Sequence, residues 1–599
     1  MYFNPGVVSR VFILIQNQVS NMEDLELVEA SFEVANKVGG IYQVLKSKSC
    51  KMQEYYGDGY LTVGHYDENS AREDFAPREN PYNEVFKTLK QEGIECYYGV
   101  WDIESKPKTI LVDPSGLEKD LDDLKQEYWD KYGVDSIEAG HDFDEPLKWG
   151  YAVGRLMQEL EKENDFVAHL HEWLSAGPVF HVDSPTVFTT HATVLGRALS
   201  NSEYDLMNMV EKKSVDQGLA DDLGVKEKHT FEKAAAEEAD IFTTVSEITG
   251  REAEQVLGVK PDKILPNGFN IEDYPSLEEL SVNHTEQKEE VIEFLRAYFE
   301  PYYDVDLDHD PRIFFTSGRY EYHNKGFDVL IEALAEVNER PGDDIYFFFF
   351  VPSGVKCSNM EVLENKSLYR ELESFVDEKI VDIRESMLDA VTSNQDPVDA
   401  VSEILDSREL ESLKSNFHSK QGGRPPMNAF DLNYDGDNIL EALKENGLEN
   451  KESDRVKVIF YPTYLEFGDK LLSMDYEEAV VASSAGFFPS YYEPWGYTPV
   501  ETAANGALAL TTDLAGFGRF LQDNVDSGDR KGIKVLERND ADREHVVEQL
   551  ALAVEDFAEY DKTEITERKH NARKLAQLTS WENLGENYRD AHKMAEEKR

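Results

Sequence analysis

GFFPSYYEPWGYTPVETAANGALALTTDLAGFG, residues 486–518, is the stretch that decides how this chain folds. It continues an apolar run that Pro489 ends, which predicts the end of a buried strand. Thr498 as a cap, Pro499 at the first helical position and Gly506 past the end predict a helix. A loop that joins a parallel strand to a helix N-terminus is where α/β proteins bind phosphorylated ligands.

Two carboxylates of this stretch, Glu493 and Glu501, stand in an E-x7-E pattern. Glu493 lies among tyrosines and Pro-Trp-Gly, and a charge in such surroundings favours a site over a solvated face. Glu501 has two open interpretations. It completes a capping box with Thr498, or it contacts a ligand.

The stretch SYYEPWGYTPVE, followed by TTDLAGFG, resembles glycogen synthases of the eukaryotic type, which are retaining glucosyltransferases with a GT-B fold. The resemblance covers about residues 24–590. It implies an α/β protein of two Rossmann-like domains that face each other across a cleft. Eight motifs in one order make it specific; the other seven are FEVANKVGGIYQVLKSK, HEWLSAGP, TTHATVLGR, FTTVSEIT, LPNGFN, SGRYEYHNKG and SDRVKVIFYPTYL.

A chain of 599 residues is too long for one core, so two large domains are expected. Residues 1–21 are predicted to be an extension of uncertain status, with Met22 as a candidate start. An acceptor-side domain is predicted at 22–268 and a nucleotide-sugar-binding domain at 269–572. A helical insertion is predicted at about 356–450, and residues 573–599 are predicted to form a helix that packs back on the first domain.

The balance of charge is strongly acidic, with 120 acidic and 61 basic residues and a net charge of −59. Aromatic residues make up 11%, which argues against a disordered acidic chain. Such a field repels nucleic acid and anionic membranes, so neither is expected as a partner. A diffuse acidic surface on a folded enzyme predicts a halophilic source. The alternative is a specific basic partner.

Three cysteines, Cys50, Cys96 and Cys357, lie far apart and form no CxxC motif. They indicate neither a disulfide framework nor a zinc site, and they are typical of a reducing cytoplasm. No apolar run reaches the length of a membrane span. A cytoplasmic location is therefore predicted.

Gly39 and Gly40 lie between a predicted strand and a predicted helix, where backbone N–H groups can approach a phosphate. Most such glycines are only turns, and Lys37 adds a cation beside them. His169 and His171 are spaced for a strand and not for the helical metal motif HExxH, so a metal site is rejected. Arg319 and Lys325 flank a loop after a predicted strand, and two cations on one loop of so acidic a chain favour an anion site.

The resemblance assigns roles to these residues. It implies that the two cations clamp the diphosphate of the donor, that Glu493 orients the glucose, and that no metal or other cofactor is needed. Tyr476 is implied to stack on the nucleotide base. The implied catalytic residues are Glu493, Lys325, Arg319 and His191. The implied donor-binding residues are Lys37, Gly39, Gly40, Arg197, Asn267, Tyr476, Gly496, Tyr497, Thr498 and Glu501.

The expected reaction is transfer of glucose from a nucleotide sugar to the non-reducing end of an α-1,4-glucan, with retention. UDP-glucose is the usual donor of the eukaryotic type, and ADP-glucose stays open. The alternatives are a sucrose- or trehalose-type synthase with a small acceptor and a non-catalytic glucan-binding protein. The helical insertion predicts a homo-oligomer, and the resemblance implies a tetramer. Because only Arg568 and Arg573 remain of the family's arginine-rich regulatory helix, little response to glucose 6-phosphate is expected.

Overall fold

Parallel strands alternate with helices along most of the chain, as an α/β protein requires. The structure is a computed structural model that describes residues 26–37, 39–117, 119–393, 396–405 and 408–599. The described chain divides into two compact units. The first unit combines the described residues up to Ile271 with Leu578–Arg599, and the second spans Glu272–Gln577. The extension predicted at residues 1–21 and Met22 lie outside the described residues.

The described part of the first unit contains one mainly parallel sheet, in the order β3-β4-β5-β2-β1-β6-β7-β8-β9. Only β4 is antiparallel to its two neighbours. The strands are β1 Glu26–Ala30, β2 Tyr60–His65, β3 Phe75–Pro77, β4 Glu95–Trp101, β5 Lys108–Asp113, β6 Phe166–His171, β7 Thr186–Thr190, β8 Ile241–Thr244 and β9 Lys263–Ile264.

Helices connect these strands. They are α1 Ile41–Tyr56, α2 Glu68–Asp74, α3 Asn83–Gln91, α4 Leu121–Tyr132, α5 His141–Leu160, α6 Val194–Asn201, α7 Leu206–Glu211, α8 Leu219–Asp222, α9 Lys226–Glu238 and α10 Glu247–Val256.

The second unit contains a parallel sheet, in the order β14-β11-β10-β15-β16-β17, and a two-stranded sheet of β12 and β13. Alternate phenylalanines of β10 and β11 pack on opposite faces of the parallel sheet, so both faces are buried. The strands are β10 Arg312–Ser317, β11 Ile345–Phe350, β12 Val355–Ser358, β13 Phe430–Leu432, β14 Val456–Tyr461, β15 Ala485–Phe487, β16 Leu508–Thr512 and β17 Ile533–Leu536.

Between β12 and β13 the described chain is helical, within the range predicted as an insertion. Its long first helix, α13, lies wholly within that range. The helices of the second unit are α11 Leu277–Phe299, α12 Phe327–Asn338, α13 Met360–Ser393, α14 Pro397–Leu405, α15 Arg408–Phe417, α16 Asn438–Glu445, α17 Tyr476–Ala482, α18 Tyr497–Ala504, α19 Gly516–Asn524, α20 Arg543–Glu559 and α21 Lys562–Gln577.

The final helix, α22 (Trp581–Lys598), belongs to the first unit. The indole Nε1 of Trp581 donates to Ser47 Oγ at 2.9 Å, and its backbone N–H donates to Phe269 O at 3.1 Å. A Cβ on Gly268 would lie 2.6 Å from the Trp581 ring, so a larger residue at 268 would push the ring away. Among the helices of the described chain, none is both long enough and apolar enough to span a bilayer.

Candidate active site

Two loops of the second unit follow neighbouring parallel strands, β10 and β15, and therefore meet at one edge of the sheet. The carbonyl oxygen of Asn324 accepts the N–H groups of Tyr491 at 2.8 Å and Tyr492 at 3.2 Å. Gly326 has a φ of 72°, and a Cβ there would lie 2.0 Å from Pro489 O. Only glycine permits that close approach, so residue 326 fixes how the two loops pack.

Lys325 and Glu493, one from each loop, form an ion pair in which Nζ lies 2.5 Å from Oε2. Both side chains are largely buried, at 14% and 18% exposure. The stem of Lys325 passes Gly318, where a Cβ would lie 3.5 Å from its Cδ. The sequence predicted separate roles for these two residues, and the structure brings their charged atoms together.

The backbone of the Glu493 loop is tied to the start of α19. Gly516 donates its N–H to Glu493 O at 3.0 Å, and Phe517 donates to Trp495 O at 2.8 Å. Gly496 then turns the chain with a φ of 96°, and a Cβ there would lie 3.1 Å from Glu493 Cγ. The loop is thus fixed on both sides of the carboxylate.

The predicted capping box of α18 is wrong. The N-cap is Gly496, which has no side chain to cap with, and the helix begins at Tyr497. Thr498 lies inside the first turn, where its carbonyl oxygen accepts the hydroxyl of Thr502 at 2.7 Å. The left-handed turn at Gly496 starts the helix before Thr498, so Pro499 follows later than predicted. The C-terminal end agrees with the prediction, since Gly506 lies past the last helical residue with a φ of 73°.

Glu501 is consequently not a capping residue, and its carboxyl group lies in a shielded environment. Burial raises the pKa of Glu501 to about 7, and the neighbouring Glu477 carboxylate adds to the rise. A carboxyl group in that range can donate a hydrogen bond as well as accept one. The interpretation of Glu501 as a ligand contact therefore stays open, and the capping interpretation is removed.

Arg319 and Tyr476 have different surroundings from Lys325. The guanidinium of Arg319 is exposed and lies 2.9 Å from Glu321 Oε1, so the two cations of this loop have different partners. Tyr476 begins α17, and its hydroxyl lies 2.8 Å from Ser317 Oγ at the end of β10. This places the Tyr476 ring at the same edge of the sheet as the ion pair.

Arg538 is a residue of this edge that the sequence did not single out. It follows β17, donates Nη1 to Pro489 O, and holds its guanidinium 5.4 Å from the Tyr491 ring. Burial lowers the pKa of Arg538 to about 10. The available signal was an arginine shortly after the mostly apolar run Ile533–Leu536, since strand ends carry the other candidates.

In the first unit, a carboxylate already binds one N–H group of the diglycine turn and one N–H group of the helix that follows. The carboxylate oxygen Glu33 Oε2 accepts the N–H of Gly39 at 3.0 Å and that of Tyr42 at 2.8 Å. Gly40 is the N-cap of α1 with an ordinary φ of −76°, and Lys37 is exposed. A phosphate at this helix N-terminus would have to share these donors with Glu33.

The loop that carries His191 follows β7 and is held by three buried carboxylates. Glu172 Oε1 accepts the N–H groups of His191 at 3.0 Å and Ala192 at 3.2 Å. The next two N–H groups donate to Glu252 and Glu232, from Thr193 at 3.1 Å and Val194 at 2.9 Å.

Burial raises the pKa of Glu172 to about 7 and that of Glu232 to about 8. The charge of Arg197, on α6, opposes the rise at Glu172 and also acts on Glu33. Arg197 is therefore near both the His191 loop and the diglycine turn. Asn267 is buried elsewhere in the first unit, with Oδ1 3.5 Å from the Tyr588 hydroxyl.

Glu29, His169 and His171 are the group of described residues whose donor atoms lie close enough to hold a metal ion, within 4.8 Å of one another. Each of these donor atoms already has a protein partner. Glu29 pairs with Lys48, and His171 Nε2 lies 2.8 Å from Glu29 Oε1. His169 lies 3.0 Å from His592 through Nδ1 and 2.7 Å from Thr189 through Nε2. The absence of a metal stays a prediction.

The helix that resembles the regulatory helix of the family is α21, and its two arginines point to separate partners. The guanidinium of Arg568 lies 3.9 Å from the Tyr560 ring, and Arg573 Nη1 donates to Ala504 O. A cavity of 910 Å³ lies between α11 and α21, lined on the α21 side by Lys569 and His570. Neither arginine lines that cavity.

Comparison with solved structures identifies the fold as that of GT-B glycosyltransferases. The catalytic domain of starch synthase IV from Arabidopsis thaliana, bound to ADP and acarbose, superposes with a TM-score of 0.50. The superposition covers 96% of this chain and 99% of that domain, at 13% identity.

The model of the family described as Glycogen synthase matches residues 29–599, and the chain belongs to that family. Among its relatives, Glycogen [starch] synthase isoform 2 of Saccharomyces cerevisiae is 34% identical over 607 residues, covering 95% of this chain and 86% of the yeast protein. Glycogen [starch] synthase of Caenorhabditis elegans is 33% identical over 604 residues, covering 97% of this chain and 89% of the nematode protein.

Proposed function

We propose that this protein transfers glucose from UDP-glucose to the non-reducing end of an α-1,4-glucan, with retention of configuration. The observation that carries the proposal is the Lys325–Glu493 ion pair, which places a cation and a carboxylate together at the carboxyl ends of two parallel strands. Ligands of open α/β sheets bind at that edge. Membership of the glycogen synthase family supplies the class of reaction.

The leaving group of this reaction is a nucleoside diphosphate, on which negative charge develops. Lys325, Arg319 and the N–H groups at the start of α18 would stabilise that charge, with Lys37 as a further cation. Because these groups supply positive charge, the proposed reaction needs no metal ion. Addition of EDTA in high salt should therefore leave the rate unchanged, and strong inhibition would contradict this part of the proposal.

The carboxylate of Glu493 is proposed to stabilise the positive charge that develops on the sugar. In the structure its carboxylate is bound by Lys325. A diphosphate that draws Lys325 toward itself would leave this carboxylate facing the sugar. Glu501 and Tyr476 are proposed to contact the ribose and the base, and His191, with Arg197, to contact the glucose and the donor.

The experiment that tests the function measures incorporation of radiolabelled glucose into glycogen from UDP-glucose and from ADP-glucose. We expect UDP-glucose to give the larger kcat/KM. A matched assay offers glucose 6-phosphate and fructose 6-phosphate as acceptors, and transfer to these with none to glycogen would favour a small-acceptor synthase. Absence of transfer from any nucleotide sugar would refute the enzymatic proposal.

We also propose that the chain forms a homo-oligomer through the helical insertion. Helix α13 exposes a stripe of large apolar side chains, whose spacing puts them on one side of the helix. A second copy of the helix could cover this stripe, as isologous interfaces require. The exposed residues are Val376 at 45%, Ile380 at 55%, Met387 at 46% and Val391 at 69%. Light scattering of the Ile380→Glu variant should give a smaller mass than the wild type, and an unchanged mass would contradict this interface.

A further inference from the structure

The ring of His191 hydrogen-bonds to a different residue from the one that binds its backbone. Its Nε2 lies 3.1 Å from His171 Nδ1, and the other nitrogen of His171 lies 2.8 Å from Glu29 Oε1. These contacts form a line from the His191 loop into the core of the first unit. Such a line decides which ring nitrogen carries hydrogen, because each nitrogen of a neutral imidazole can act only as a donor or only as an acceptor.

The inner end of the line is a fully buried carboxylate, Glu29. It pairs with Lys48 and accepts the hydroxyl of Tyr60 at 2.6 Å. Burial alone would raise the pKa of Glu29, but Lys48 and His171 outweigh burial and lower it, so the group is ionised. An ionised carboxylate only accepts hydrogen bonds. His171 must therefore donate to it from Nε2.

The middle of the line is a neutral imidazole. Burial and the charge of Lys48 lower the pKa of His171, although Glu29 acts in the opposite direction. A neutral imidazole has a single N–H group, and Glu29 takes that group at Nε2. His171 Nδ1 therefore carries a lone pair, and His191 must donate to it from Nε2.

The outer end of the line is His191. Burial, together with His171 and Lys48, lowers the pKa of His191 well below its ordinary value, so this ring is neutral too. With its N–H group on Nε2, the nitrogen that His171 does not use, Nδ1, is an acceptor. We infer that Glu29 and His171 are positioning residues that fix this tautomer of His191, so that Nδ1 offers its lone pair to a hydroxyl group of the donor sugar.

This inference rests on the proposed function, because it takes the donor to be a nucleotide sugar. A lone pair on Nδ1 selects for hydrogen-bond donors, because it can accept a hydrogen bond and cannot donate one. Every hydroxyl group of glucose can donate a hydrogen bond to a lone pair, and a sugar that lacks the contacted hydroxyl leaves the lone pair unmet. Polar groups left unmet in a closed site are a strong source of discrimination between substrates.

A matched pair of variants separates positioning from mere packing. His171→Leu removes the contact to His191. His169→Leu removes a ring from the same face of the same strand that is equally buried and that hydrogen-bonds to His592 and Thr189 instead of His191. The two variants should lose similar stability. His171→Asn serves as a partial rescue, because its amide oxygen can accept from His191 Nε2.

The decisive measurement is kcat/KM for the natural donor and for donors that are deoxy at C2, C3, C4 or C6 of the glucose. For His171→Leu we expect a loss of at least about tenfold with the natural donor and almost none with one deoxy donor, as in a mutant cycle between groups in contact. For His169→Leu we expect losses below about twofold with every donor. An equal loss with all donors for His171→Leu would assign it a structural role and overturn the inference.

A second measurement needs no turnover and remains available if a variant fails to fold. Nitrogen-15 NMR of the histidine rings, with His191→Gln used for assignment, reports which nitrogen of His191 is protonated in the wild type. We expect hydrogen on Nε2 and none on Nδ1. Hydrogen on Nδ1 would overturn the inference even in an active enzyme. Lack of any glucosyl transfer with the expected tautomer present would refute the proposed function instead.

Discussion

The His191 loop of the first unit and the Glu493 loop of the second hold their functional side chains by different physical means. In the first, consecutive backbone N–H groups end on buried carboxylates, and the ring is bound to His171. In the second, the carboxylate is held by one cation, Lys325, while backbone contacts and the guanidinium of Arg538 fix the loop. The first arrangement depends on charges that water does not reach. The second leaves Lys325 able to change partners.

The comparison shows where each unit can tolerate change. Breaking a buried ion pair strands a charge in a medium that solvates it poorly, which costs far more than the pair contributes. Exchange of Lys325 from Glu493 to an anionic ligand keeps the lysine paired. The released Glu493 carboxylate then faces the sugar, on which the proposed positive charge develops. The first site is therefore suited to holding geometry and the second to responding to a ligand.

The largest effect is expected from a substitution that breaks the buried charge network of the first unit. Lys48→Met leaves Glu29 buried without its cation, and we expect a loss of about 3–5 kcal/mol in the free energy of unfolding. Lys51→Met is the matched control, because Lys51 lies on the same helix and pairs with the exposed Glu54 and Glu582. Its loss should be under about 1 kcal/mol. Urea unfolding measures the free energy of unfolding of both variants. Equal losses would contradict the larger contribution expected of the buried Lys48–Glu29 pair.

The next largest effect is expected from a substitution that removes the Lys325–Glu493 ion pair and leaves the protein folded. Lys325→Ala should cost at least about 3 kcal/mol of transition-state stabilisation, on the scale of removing a positioned donor. Lys420→Ala is the control, since Lys420 forms a lysine–glutamate pair with Glu361 of the same unit, outside these loops. Steady-state kinetics measure the loss as kcat/KM. A decrease below about tenfold in a folded Lys325→Ala protein would remove Lys325 from the site.

The pH dependence of stability sharpens the comparison. Folding raises the pKa of Glu172 to about 7 and of Glu232 to about 8, so these two groups bind more protons in the folded state than in the unfolded state between about pH 4.5 and 8. Their contribution to stability should therefore fall as pH rises through that window. Buried histidines such as His171 and His191, whose pKa values are lowered, contribute in the opposite direction at the acidic end. Relative to the wild type, Glu232→Gln should therefore gain stability as pH rises from about 4.5 to about 8, and so, to a smaller extent, should Glu501→Gln in the second unit. Calorimetry of each variant beside the wild type measures this difference, and a difference that does not change with pH would contradict the assignment.

Salt should change the effect of surface charges on stability, but not the contribution of the buried Lys48–Glu29 pair. With a net charge of −59, an unscreened surface repels itself, and we expect a lower melting temperature in dilute buffer than in molar KCl. The cost of Lys48→Met should be the same in both solutions, because Lys48 is fully buried. A wild-type melting temperature that does not depend on salt would refute the predicted halophilic source.

The smallest expected effect concerns control by glucose 6-phosphate. Arg568 and Arg573 have partners of their own on separate sides of α21, so we expect a change in rate of less than about twofold. The measurement is the rate at saturating donor with and without glucose 6-phosphate. A large activation that the Arg568→Ala, Arg573→Ala double variant abolishes would show that the arginines act together after all.

Much of the sheet could be predicted from the sequence, because buried parallel strands are apolar throughout and have sharp ends. The apolar run before Pro489, for example, forms β15 as predicted. The capping box failed because a local pattern does not show that Gly496 turns the chain before Thr498. Local sequence specifies a helix better than it specifies the residue where the helix begins.

The sequence predicted individual site residues, but it did not predict which other residues they contact. Lys325 and Glu493 are far apart in sequence, and nothing in either motif indicates that their charges meet. The line from Glu29 to His191 draws on three separate segments of the chain. Only the fold determines such neighbours, because parallel strands from distant parts of the sequence lie side by side.

Helix α22 has a consequence for how the protein is made. It completes the first unit by placing His592 against Tyr56 at 2.7 Å and against His169 at 3.0 Å. Residues 272–577 stand between the two parts of that unit, so a ribosome produces the whole second unit before α22 exists. During synthesis the first unit therefore lacks the contacts of α22 with Tyr56 and His169 until the second unit has been made. The cell has to protect a nascent chain whose N-terminal unit is the last to be completed.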